Sequence, residues 1–176
     1  MYQFRKLAGS QGPREFESPP LRFVNFMAEV YTLGAFAVIL DEHRRVLLCH
    51  RTDKDLWNLP GGGLEVRESP WSAVVREVRE EVGLEVVVER LVGVYAKEYE
   101  NNIVFLFLCK PIGGGLTLSG EADRIEYFSL ENIPPNTNSR HIERIRDVFD
   151  NHKMVVLKTH IKEVFYMLEP VLAMDS

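Results

Sequence analysis

GGGLEVRESPWSAVVREVREEVGL, residues 61–84, decides the reading of this 176-residue chain. Gly62 is followed after five residues by Glu68, and after seven more by Arg76-Glu77. An apolar Val78, one free position, Glu80-Glu81, another free position, Gly83 and apolar Leu84 complete the register. At ordinary residue frequencies, nine such positions coincide by chance about once in a billion start sites. Ser69 suits an N-cap and Pro70 the first helical position. Gly83 suits the left-handed residue just past a helix end. The segment therefore predicts a helix over residues 70–82. At about 100° per residue, Trp71, Val74, Val75, Val78 and Val82 share a face roughly 100° wide. Glu77, Glu80 and Glu81 fall together on the adjacent arc.

Taken alone, the run from Arg76 to Glu81 reads as a solvated helix face with an Arg76–Glu80 pair, and the glycines as a turn. Their joint spacing with Glu68 points elsewhere. Three carboxylates brought to one point repel one another. A hard divalent cation, Mg²⁺ or Mn²⁺, resolves that repulsion through oxygen ligands. Gly61, Gly62 and Gly63 supply backbone that can come close to a phosphate at a helix N-terminus. Carboxylate-held metal beside a glycine loop suits hydrolysis of a phosphoanhydride.

The complete register is similar to the signature of the Nudix hydrolases. The resemblance implies an α/β fold, the Nudix-type α/β/α sandwich with a mixed β-sheet between helices. It implies Glu80 and Glu81 as central metal ligands, Glu77 completing the set, and a glycine carbonyl, at Gly61, able to reach the metal. Arg76 and Glu68 resemble the pair that orients these carboxylates through a salt bridge. The general base varies in the family, often a glutamate of the signature, such as Glu81, or one on a later loop. Glu121, on a later loop, resembles one of its positions, and Asp123 is the alternative. The implied activity is divalent-metal-dependent cleavage of a pyrophosphate bond in a nucleoside diphosphate linked to another moiety, releasing a nucleoside monophosphate. Motifs resembling the NADH-cleaving and coenzyme-A-cleaving branches are absent. An ADP-ribose-like substrate and a nucleoside triphosphate both stay open. Arg51 and Trp57 precede the site and Tyr95, Lys97 and Tyr99 follow it; Arg51, Trp57 and Tyr99, with Gly62 and Gly63, are the candidate substrate-binding residues, and Lys97 is, like Arg51, suited to holding phosphate. The aromatics are suited to stacking on a base and the arginine to holding phosphate, although Trp57 packing against its own loop is an equal alternative.

Composition agrees with a single enzyme domain. Hydrophobic residues make up 45% of the chain, which is ordinary for a globular protein. The net charge of −5 argues against non-specific binding to nucleic acid or anionic membrane. The longest apolar runs, residues 33–40 and 103–109, are too short to span a bilayer, and Arg5-Lys6 is not followed by an apolar signal core. Cys49 and Cys109 fall in predicted strands and read as small core residues rather than a disulfide, which fits a reducing cytoplasm. The five histidines, His43, His50, His141, His152 and His160, show no metal-ligand spacing and read as incidental.

Residues 1–24, with scattered Gly, Pro and Ser, read as a non-catalytic tail, residues 25–150 as the hydrolase domain, and residues 151–176 as an extension. That extension is suited to covering a sheet edge or joining a homodimer interface. Residues 33–40 and 46–51 read as a β-hairpin across a polar turn. Further strands are expected over residues 85–94, 103–110 (buried on both faces) and 125–130. A flexible connection is expected over 111–120 and a second helix over 140–149. Two other functions fit the same pattern: a nucleotide-binding regulator without turnover, and an RNA-end (cap) hydrolase. The lack of a basic stripe disfavours the latter.

Overall fold

The computed structural model describes residues 30–97, 100–150 and 154–160. The expected tail, Tyr99, and the chain beyond His160 lie outside the described residues. Strand β1 (Thr32–Ile39) organises the rest. It pairs antiparallel with β4 (Gly61–Gly63) and parallel with β6 (Asn102–Gly114). Strand β6 pairs antiparallel with β5 (Leu84–Lys97), whose far edge carries β8 (Val156–His160) in parallel. The result is a five-stranded mixed sheet in the order β4-β1-β6-β5-β8. A second, antiparallel sheet sets β2 (Val46–Arg51) between β3 (Trp57–Asn58) and β7 (Ala122–Phe128).

Both faces of the mixed sheet are covered, as its continuous apolar strands require. On one face Ala35, Ala37, Ile39, Phe107 and Cys109 pack against Ala73, Val74, Val78 and Val82 of helix α1 (Pro70–Val82). On the other, Val38, Val92, Tyr95, Val104 and Leu106 pack against Ile145 and Val148 of helix α2 (Ser139–Asp150). The mixed sheet between two helices is the expected sandwich. Cys49 and Cys109 are free thiols, both buried. Among the described residues, no helix is long and apolar enough to cross a membrane.

Helix α1 has the expected caps. The Ser69 side chain accepts from the Ser72 amide, Pro70 opens the helix, and Gly83 closes it at φ 75°. Its buried face, however, is not the apolar stripe. Trp71 is 62% exposed, and Ala73 is fully buried in its stead. At about 100° per residue, the buried arc is turned roughly 60° from the apolar one, towards Glu77 and Glu81. Packing of α1 on β1 and β4 therefore leaves Trp71 in solvent and carries two glutamates inward.

Three further expectations change. β1 and β2 do not form a hairpin ladder: they meet at one bridge, Leu40 with Val46, and then enter different sheets. Each has apolar side chains on both faces and so takes its own partners, β6 for β1 and β7 for β2. Residues 111–120 are not a free connection. Residues up to Gly114 extend β6, and the amides of Gly115 and Thr117 then donate to the carbonyls of Gly83 and Val82 at 3.2 and 3.0 Å, closing the end of α1. Part of the C-terminal extension, residues 156–160, forms the edge strand β8.

Because Leu106 is fully buried at the centre of the sheet, Leu106→Ala should cost about 2–5 kcal/mol of stability. Trp71→Ala should stay within about 0.5 kcal/mol. Denaturant midpoints measure both, and a large loss at Trp71 would contradict the rotation of α1.

Candidate active site

Arg76 is the hub of the signature. Its Nε and Nη2 grip Glu68 in a two-pronged contact, each bond 2.9 Å long. Nη2 also donates to the Gly63 carbonyl at 3.1 Å. Nη1 donates to Glu77 Oε1 and Glu80 Oε2, each at 3.0 Å. Glycine loop, pre-helical turn and helix are thereby fixed to one guanidinium. Hydrogen bonds from Arg76, and then from the Glu65 amide, hold the Glu68 carboxyl down at about 2, so it stays ionised. The salt bridge between Glu68 and Arg76 that the resemblance implied is present.

The three helix carboxylates differ in burial as their angular positions dictate. Glu81 lies nearest the apolar stripe and is the deepest. Glu77 comes next, with a side chain 15% exposed, and Glu80 is furthest away at 53%. Glu81 Oε2 accepts a hydrogen bond from the Gly61 amide at 2.9 Å. Gly61 has φ 138°, and a β-carbon there would stand 2.3 Å from the Ala35 carbonyl, so this approach requires glycine. The loop thus engages Glu81 through the Gly61 N–H. Burial pushes the Glu81 carboxyl up to about 7; the Gly61 hydrogen bond opposes this, and the charges of Glu77 and Glu121 reinforce it. Glu77 is also raised, first by burial.

These carboxylates open into a cavity of about 830 Å³. Glu77, Glu81, Gly61, Gly62, Gly63, Arg51 and Glu121 line it, and Glu80 does not. Glu121 is exposed on the loop before β7. Its carbonyl accepts from the Thr52 amide at 3.0 Å, and its own amide donates to Ser119 Oγ at 3.2 Å. Arg51 is gripped by Asp53 through two bonds of 2.6 and 2.7 Å. Tyr99 lies outside the described residues.

Trp57 corrects a sequence expectation. It is 4% exposed and absent from the cavity wall. Its ring meets the edges of His50 and Phe128, and Arg124 lies over its face, so it is a core residue with no surface left for a base. The histidines correct another. His50 is buried in the cavity wall, with Nδ1 at 2.6 Å from Asp123 and Nε2 at 2.9 Å from Asp55. Hydrogen bonds to Asp55 and then Asp123 raise its pKa. Asp123, the alternative base, is therefore committed to His50. His141 is also buried in the wall, and its Nδ1 accepts from the Leu59 amide at 2.8 Å. The signal for both was a polar residue on an otherwise buried strand or helix face, which needs partners there. The cations Arg140 and Arg144, also in the wall, were not anticipated, whereas Lys97, expected to follow the site, lines it as well.

The donors suit a hard divalent cation. Both inward carboxylates are raised, first by burial, and the space above Glu77 is kept open by glycine: a β-carbon on Gly62 would stand 2.7 Å from Glu77 Oε1. Among the described residues, no three His, Cys, Asp or Glu side chains are gathered into a ready-made cage. Mg²⁺ needs none, because it usually takes one or two carboxylates and fills its shell with water and substrate phosphate.

Comparison with known proteins agrees with this fold. The family model described as the NUDIX domain matches residues 30–148. A MutT-like protein of Streptomyces ambofaciens is 33% identical over 138 residues, 78% of this chain and 84% of that one. An ADP-ribose pyrophosphatase of Methanocaldococcus jannaschii is 35% identical over 114 residues, covering 60% of this chain and 68% of its own. The crystal structure of an ADP-ribose pyrophosphatase from Streptococcus suis superposes with a TM-score of 0.62 at 27% identity, covering 74% of this chain and 100% of that one. With signature, fold and family match in agreement, the chain belongs to the Nudix family of hydrolases.

Proposed function

We propose that this chain is a divalent-metal-dependent pyrophosphohydrolase. It cleaves a nucleoside diphosphate linked to another moiety, ADP-ribose-like or a nucleoside triphosphate, and releases a nucleoside monophosphate. The observation that carries the reading is the inward turn of Glu77 and Glu81 beside a glycine loop, in a cavity with Glu121 at its rim. A volume of about 830 Å³ suits a nucleotide-sized ligand. The relatives named as ADP-ribose pyrophosphatases support the first substrate class.

Glu77, Glu81 and Glu80 would hold the cation, Mg²⁺ or Mn²⁺, with Glu80 exchanging its bond to Arg76. The Gly61 carbonyl is a further candidate ligand. Such a cation supplies charge neutralisation on phosphate oxygens and a more acidic bound water. The protein's own groups do the rest. Arg76 and Glu68 hold the carboxylates and loop in place. Gly62 and Gly63 let a phosphate approach the backbone, and Arg51 offers it a cation. Glu121, exposed at the cavity edge, accepts the proton of the attacking water.

Product analysis of the purified chain with Mg²⁺ against ADP-ribose and nucleoside triphosphates tests the reading directly; absence of a nucleoside monophosphate from every substrate would sink it. Glu81→Gln should abolish metal-dependent turnover with the melting curve still cooperative, and substantial remaining activity would remove Glu81 from the ligand set. Glu121→Gln should lower kcat about a hundred- to ten-thousand-fold while moving KM little. An unchanged kcat would place the base elsewhere. The protonation of Glu81 also gives metal binding a pH dependence. Its carboxyl, raised to about 7, holds a proton below that pH, and the cation must displace it. Mg²⁺ affinity should therefore fall by up to about tenfold per pH unit on going below that value, and level off above it. Calorimetric titration across the range would show a flat profile if Glu81 were not a ligand.

A further inference from the structure

Across Phe36 from the carboxylates, helix α2 places Arg144 in the cavity wall. Phe36 is the spacer. It pairs with Gly61, whose amide holds Glu81, and the Arg144 guanidinium lies 5.6 Å from its ring centre. Tyr95 flanks the guanidinium at 5.1 Å. Arg144 is 2% exposed. Among the described residues it has no hydrogen-bond or ion-pair partner, and its Nε is a buried donor left unsatisfied. The acid one turn further on is already engaged: Asp147 accepts from Tyr95 at 2.9 Å and from Lys158 at 2.7 Å.

A buried cation without a counter-charge is costly, and removing it from a fold is often stabilising. The two ring faces offset part of that cost but satisfy none of its N–H donors. Burial draws the pKa of Arg144 down to about 10, so the charge persists at neutral pH. The neighbouring group offers no acceptor for it. The ring of His141 accepts from Leu59 on Nδ1, so the neutral ring carries its proton on Nε2 and is itself a donor. Glu143, the carboxylate whose charge reaches Arg144, is bound to Lys158 at 3.0 Å and to His160 at 2.8 Å, so among the described residues no acid side chain is bonded to the guanidinium.

We propose that Arg144 is the anion-binding residue of this cavity, taking an oxygen of the substrate phosphate that is not attacked. The assignment rests on the phosphoanhydride reading above and adds a specificity-determining residue to it. A nucleobase carbonyl would fill the donors but leave the charge, so an anion is the better match. The fork of the guanidinium suits a phosphate in a way that a lysine ammonium does not.

The test is calorimetric binding of inorganic pyrophosphate to the full chain in EDTA, which removes any contribution from metal at the carboxylates. Wild-type protein should bind, Arg144→Met should bind about 10- to 100-fold more weakly, and Arg144→Lys should fall between. The ligand-free melting temperature of Arg144→Met should rise, because an apolar chain replaces an unpaired buried cation. A residue kept only for its ring contacts would give a fall. Should the Met variant not fold, Arg144→Lys decides alone. No binding by wild type, or equal affinity in the variants, overturns the proposal. So does Arg144-dependent binding of guanosine or uridine without binding of pyrophosphate, which would mark a base-carbonyl site. Hydrolysis does not enter this measurement. Failure to turn over any phosphoanhydride, with Arg144-dependent pyrophosphate binding intact, would sink the catalytic reading and leave this one standing.

Discussion

One guanidinium holds this site together. Arg76 reaches Glu68, the Gly63 carbonyl, Glu77 and Glu80 at once. An exposed pair of this kind would contribute little, because solvent screens it and side-chain entropy opposes it. Here the arginine is partly sheltered and its planar fork matches a carboxylate on one side, so its geometry is fixed by several partners rather than one. Three like charges on successive turns of a short helix would otherwise oppose its packing. The interaction that compensates the acids is also the one that anchors the glycine loop against which Glu81 lies.

The rotation of α1 shows how the fold accommodates those acids. A helix packed for stability alone would bury Trp71 with its valines. This one leaves the tryptophan in water and turns Ala73, Glu77 and Glu81 inward. Exposed apolar area on one shoulder accompanies carboxylates placed inside on the other. The cavity exists because hydrophobic burial is not at its optimum there.

That rotation also marks where the sequence stopped being informative. The register, the caps at Ser69 and Gly83, the burial of Cys49 and Cys109, and the salt-bridged pair of Glu68 and Arg76 are local properties or fixed spacings, and they were legible. The direction a helix faces depends on the sheet beneath it, so periodicity misassigned Trp71 and could not separate Glu80 from Glu81. Trp57 looked available because its loop is polar, yet its neighbours come from β2 and β7. The His50–Asp123 and Leu59–His141 hydrogen bonds join residues 73 and 82 positions apart, beyond any local pattern. Continuous apolar strands likewise say that both faces are covered but not which strand lies alongside, which is why β1 and β2 part company.

The bond from the Leu59 amide to His141 has a consequence for the cavity as a whole. Leu59 stands two residues before Gly61, and His141 stands one turn before Arg144, so a single 2.8 Å contact ties the acidic wall to the cationic one. Burial depresses the His141 pKa to about 3, and the ring keeps its accepting nitrogen throughout the physiological range. The separation of the two walls is thus braced by a strut that does not titrate. The link between the walls therefore outlasts the pH range in which the Glu81 carboxyl takes up its proton.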